Sequence, residues 1–73
     1  MESRRMVTWI DGVGRVVGQV SQGISSDFYG RLSAVYFAEA IGMPTSNCPR
    51  FACAKTKVEN ALIEAGVRAR AVM

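Results

Sequence analysis

Between Met6 and Ile24 a valine-rich run is broken by glycines at 12, 14, 18 and 23, and this pattern limits the chain's options more than any other. Val13, Val16, Val17, Val20 and Ile24 keep the spacing of a helical stripe. Yet each glycine inside a helix costs about 1 kcal/mol, and valine is itself a weak helix former. A strand uses the same residues better. Asp11-Gly12 is a favoured hairpin turn, flanked by Val7-Thr8-Trp9-Ile10 and Val13-Gly14-Arg15-Val16-Val17. A two-residue loop there pairs Ile10 with Val13, Trp9 with Gly14, Thr8 with Arg15 and Val7 with Val16. The hairpin is expected, with a glycine-broken helix as the alternative that a far-UV spectrum separates.

Downstream the period lengthens. Ser21 to Ser26 has the composition of a loop, and Ser25 or Ser26 can cap a helix whose first turn holds Asp27. Phe28, Leu32, Val35 and Tyr36 form one apolar stripe, widened by Phe37, Ala40 and Ile41. Gly42 suits a left-handed helix end, and Pro44 prevents continuation. A second helix places Phe51, Ala54, Val58, Ala61, Leu62 and Ala65 on one face. Pro49 fits its first position, Cys48 its N-cap, and Gly66 its end. Val67 to Val72 alternates as a short strand or a basic tail. The expected fold is α+β: an N-terminal β-hairpin, two packed α-helices and a short C-terminal strand. It forms a single domain over 1–73, frayed at 1–5 and 71–73, with no internal repeat, linker or low-complexity tract.

The chemistry on offer is narrow. A chain of 73 residues has one small core, supplying roughly 3–5 kcal/mol, and little scaffold for a multistep active site. It contains no histidine, which removes Ser-His-Asp triads, Cys-His dyads and Cys₂His₂ zinc sites. Cys48 and Cys53 are too few for zinc and wrongly spaced for a Cys-x-x-Cys redox pair; both are expected as small buried hydrophobes. The six carboxylates form no evident acid/base pair, and Gly12, Gly14 and Gly18 lack the buried strand that precedes a phosphate loop. No catalytic residue, metal, cofactor or small-molecule substrate is expected. With no apolar run near the ~20 residues of a membrane span and no apolar segment after Met1-Glu2-Ser3-Arg4-Arg5, a cytoplasmic protein without membrane contact is expected.

Two constellations carry candidate function. Phe37-Ala38, Ile41-Gly42-Met43, Cys48 and Phe51 resemble the anchors of a helix-turn-helix unit over Ala34 to Cys53. In that reading Thr45, Ser46, Asn47, Arg50, Lys55 and Lys57 face DNA. Pro49 inside the recognition helix departs from the pattern at a cost of ~3 kcal/mol, and a plain αα-hairpin explains the same residues. The second constellation is the excess of nine Lys and Arg over six Asp and Glu, a formal +3. Arg4, Arg5, Arg15, Arg50, Lys55, Lys57, Arg68 and Arg70 offer a footprint for nucleic acid or an acidic protein surface. Arginine and aromatic side chains dominate binding anchors, which selects Trp9, Arg15, Tyr29, Arg50, Arg68 and Arg70 as partner-binding candidates.

In size, single domain, basic charge and missing catalytic residues, the whole chain resembles the small bacteriophage-encoded inhibitors of host bacterial RNA polymerase, of the kind carried by Xanthomonas phages. Met6–Val20 and Arg50–Ala65 are the stretches where agreement is looked for. The resemblance implies stoichiometric inhibition of transcription through a protein–protein interface with a host RNA polymerase subunit, without turnover or cofactor. The alternative is a small DNA-binding repressor using residues 34–53.

Overall fold

The glycine-broken run folds as strand. The structure, a computed structural model describing residues 4–72, runs β1 (Arg4–Asp11), β2 (Val16–Ser26), β3 (Leu32–Ala40), β4 (Met43–Cys48), α1 (Phe51–Glu64) and β5 (Ala69–Val72). All neighbouring strands are antiparallel, in the order β4-β3-β2-β1-β5. The described residues form an elongated body of 44 × 20 × 17 Å.

The turn between β1 and β2 is longer than expected, and the register moves with it. Asp11 N–H donates to Arg15 O at 3.0 Å, and Gly14 N–H donates to Asp11 O at 3.1 Å. Gly14 takes the left-handed conformation (φ +86°) that closes such a loop. Asp11 Oδ1 also accepts from the N–H groups of Val13 (3.0 Å) and Arg15 (2.9 Å), bonds a two-residue turn would not allow. In consequence Ile10 faces Val16, Trp9 faces Gly18, Thr8 faces Gln19 and Val7 faces Val20.

The first expected helix does not exist. Its residues build the end of β2, a turn and β3, so the two packed helices give way to a five-stranded sheet with one helix. Register explains why. Leu32, Ala34, Tyr36, Ala38 and Ala40 share the face beneath α1, while Ser33, Val35, Phe37 and Glu39 lie on the other. Apolar residues on both faces imitate a helical stripe. Ile41-Gly42 is a two-residue turn that pairs Ala40 with Met43, with Gly42 at φ +84°. No helix-turn-helix unit remains over Ala34–Cys53.

The helix from Phe51 lies where its apolar stripe places it, though its N-cap is Arg50, in extended conformation, not Cys48. Ala54, Val58 and Leu62 are buried against Val7, Trp9, Val17, Val20, Ala38 and Cys48, which together form the core. Tyr36 and Phe51 meet edge-on, ring centroids 5.9 Å apart, at the start of α1. After Gly66 the chain turns back and β5 pairs with β1, Ile10 facing Arg70 and Asp11 facing Ala69. Arg4, Arg5, Ala71 and Val72, expected to fray, are in strands; the rest of 1–5 and 71–73 lies outside the described residues. Cys48 and Cys53 are both free thiols, the first buried and the second, against expectation, exposed. No helix among the described residues is long and apolar enough to cross a membrane.

Candidate functional site

The six partner-binding candidates do not converge on one surface. Trp9 is withdrawn from any interface, because its ring is 3% exposed in the core. It lies on the helix side of the sheet, in register with Gly18 of β2. Tyr29 is exposed at the tip of the β2–β3 hairpin. Arg50 is exposed just before α1.

Arg15, Arg68 and Arg70 do come together, at the opposite end of the sheet from Tyr29. Arg15 closes the β1–β2 turn. Arg70 pairs in register with Ile10, one strand over, and Arg68 lies two residues before it. A shallow groove of about 490 Å³ separates Arg68 and Arg70 from the Gly12–Gly14 loop, with Ile10 at its base. Exposed apolar side chains share this end: Val13 on the loop, Val16 beside Ile10, and Ile41, whose N–H donates to Val17 O at 3.0 Å. A second groove of about 350 Å³ opens between Val16 and Ile41. Exposed apolar side chains flanked by arginines are a combination that protein interfaces use.

Asp11 holds this end in shape. The Arg15 backbone N–H does most to keep its carboxyl below the ordinary carboxylate value; the Val13 N–H and the Arg15 guanidinium add to it, and desolvation opposes them. Arg15 Nε reaches Asp11 Oδ2 at 3.2 Å. A carboxylate with a lowered folded pKa adds stability that is present above its unfolded value and lost as pH falls through the folded one. Asp11→Asn, which keeps the acceptor and removes the charge, should therefore melt below the native chain at neutral pH. The gap should narrow as pH falls below the ordinary carboxylate range and close only once the folded Asp11, whose pKa is lowered, is itself protonated. Melting temperatures measured across that range check it; a gap independent of pH would mean the charge is not responsible.

The DNA-facing candidates are scattered. Thr45, Ser46 and Asn47 are strand residues of β4, an edge strand, and not part of a turn before a recognition helix. Ser46 lies opposite Ala38 on the helix side, where its Oγ accepts from Lys57 Nζ at 3.0 Å. Asn47 lies opposite Phe37 on the other face. Lys55 is half-buried on α1.

One feature of the surface escaped the sequence reading. Asp27-Phe28-Tyr29-Gly30-Arg31 repeats Asp11-Gly12-Val13-Gly14-Arg15, and it folds the same way. Asp27 N–H donates to Arg31 O (3.0 Å) and Gly30 N–H to Asp27 O (3.0 Å). Asp27 Oδ1 accepts from the N–H groups of Tyr29 and Arg31, both at 2.9 Å, and Gly30 has φ +78°. The signal was visible as an Asp-x-x-Gly-Arg spacing sixteen residues apart. Among the described residues no three His, Cys, Asp or Glu side chains converge. No family model, no curated protein and no solved structure matches the chain.

Proposed function

We propose that this chain is a non-enzymatic transcription regulator that binds bacterial RNA polymerase in the host cytoplasm, through a protein–protein interface at the arginine-bearing end of the sheet. The observation that carries the reading is the meeting of Arg15, Arg68 and Arg70 with exposed Val13, Val16 and Ile41 at one end. A stable interface needs ~800 Å² from each partner, which a face of this size can offer. Arginines around a desolvated apolar centre are the usual carriers of binding energy. The outer edge of β5 also leaves backbone groups open to an added strand from the partner. Polymerase as the partner follows from the likeness to small phage inhibitors, which act by occupying a surface.

The test uses immobilised full-length chain and purified bacterial RNA polymerase. The native chain should capture polymerase in stoichiometric amount and reduce promoter-dependent transcription. R68E/R70E should fold with an unchanged far-UV spectrum and bind at least roughly tenfold more weakly, the equivalent of one lost hot-spot arginine. No capture by the native chain, or equal capture by the variant, would sink the reading. Steep salt-dependent binding to duplex DNA without polymerase capture would instead assign the arginines to phosphates.

A further inference from the structure

The two Asp-x-x-Gly-Arg turns are one scaffold with two different fillings. At 12–13 the filling is Gly-Val; at 28–29 it is Phe-Tyr. The hydrogen bonds that shape both come from the Asp and the backbone, so the aromatic rings contribute nothing that the turn requires. They are nevertheless 96% and 83% exposed, packed edge-on with ring centroids 5.5 Å apart.

The strands behind them extend the theme. Among the described residues, β1 pairs with β2 as far as Gln22, and β4 pairs with β3 only from Tyr36. Beyond those points Gly23–Ser26 and Leu32–Val35 continue, among the described residues, as a two-stranded arm, which in isolation would be marginally stable. Ile24, Ala34 and Leu32 lie on the face of the arm that continues the helix-covered face of the sheet. Ile24 and Leu32 are more than half exposed.

We propose that the arm is a homodimerisation surface, in which the Phe28–Tyr29 tip of one copy lies across Ile24 and Leu32 of a second copy about a two-fold axis. The area is sufficient. Aromatic side chains bury roughly 150–250 Å² each, so the four rings of a pair supply about 600–1,000 Å². With both copies' Ile24 and Leu32, the contact exceeds the ~1,000 Å² expected of a specific interface. Charge also selects a second copy over a nucleic acid. The tip carries one anion, Asp27, and one cation, Arg31, so it is neutral although the chain is +3. A two-fold contact sets Asp27 against Arg31 of the other copy, and such an isologous patch is self-complementary. Small domains with limited cores commonly gain stability this way. This surface lies at the far end from the arginines and does not depend on the polymerase reading.

Sedimentation velocity on the full chain, from low to high micromolar concentration, tests the proposal. The native chain should move as a dimer that dissociates on dilution. F28G/Y29V gives the tip the filling of the 11–15 turn, so it should keep the native far-UV spectrum and sediment as a monomer, with association weakened at least roughly tenfold. Leu32→Lys should do the same from the other side of the contact, whereas R68E/R70E should leave the dimer intact. A native chain that is monomeric throughout, or an F28G/Y29V chain that dimerises like the native one, would overturn the proposal. Polymerase capture is scored separately: loss of capture in R68E/R70E with dimerisation unchanged leaves this inference standing whatever polymerase does.

Discussion

Trp9→Ala should leave the chain largely unfolded at 25 °C, with the far-UV strand signal lost and no cooperative thermal transition. Removing a fully buried tryptophan costs about 3–5 kcal/mol, the transfer of its ring to water plus the cavity it leaves. A core of this size supplies roughly the same amount in total, so the folded and unfolded populations become comparable or worse. Trp9 has few ways to be compensated. Its ring belongs to the one buried cluster among the described residues, which draws Val7 and Val20 from the sheet and Leu62 from α1. Trp9→Phe keeps most of the apolar volume and should fold with a lowered melting temperature. Because the ring is internal, the folded Trp9→Phe chain should behave like the native chain in the proposed polymerase-capture assay. A stable, cooperatively melting Trp9→Ala chain would show that the ring is not in the core, and selective loss of binding would return it to the surface.

That reassignment illustrates what the sequence could and could not convey. The helix was legible because Ala54, Val58 and Leu62 recur at four-residue spacing with mostly polar residues between them, and only one face is buried. β5 was legible because Arg68, Ala69, Arg70, Ala71 and Val72 alternate, and the same alternation placed both arginines on one side of the chain. β3 was not. A sheet covered on one face announces itself by alternation between apolar and polar residues, but here the covered face carries alanines at 34, 38 and 40, and the open face carries Val35 and Phe37. Alanine favours helix, so local propensity argued against the pairing that tertiary contact imposes. Small residues are needed at 38 and 40 because α1 packs against that part of β3. Phe37, in turn, lies over the bare backbone of Gly23 on the open face, where a Cβ would come within 2.5 Å of its ring. An aromatic covering a strand glycine from the neighbouring strand is a pairing device, and it accounts for a ring on the uncovered side. For the site, charge alone picked out Arg15, Arg68 and Arg70, but their assembly depends on β5 folding back beside β1, a long-range pairing with no local signature. The Asp-x-x-Gly-Arg repeat was the one overlooked clue, and recognising it would have placed two hairpin turns and excluded a helix beginning at Ser26.

The second large effect concerns Gly18. Its φ is not in the left-handed region, so an L residue suffers no backbone strain there; what the position demands is space. A Cβ at Gly18 would lie 2.6 Å from Val58 Cγ1 and 3.3 Å from the carbonyl oxygen of Glu39. Val58 is fully buried, and a valine in a helix has one strongly preferred rotamer, so its methyl has nowhere to swing. Gly18→Ala must therefore lift α1 away from β2, opening gaps along Ala54 and Leu62, and should cost about 1–3 kcal/mol. Val58→Ala alone removes two buried carbons and leaves a hole, at about 2 kcal/mol. In the double variant the new methyl at position 18 enters the space the valine gave up. The combined loss should fall short of the sum of the singles by at least about 1 kcal/mol, a coupling expected only of side chains in direct contact. Urea unfolding of the four chains measures it. Additive losses, to within about 0.5 kcal/mol, would mean that the helix does not seat over Gly18. The sheet face that positions β1 and its arginine-bearing neighbour β5 would then need a different support.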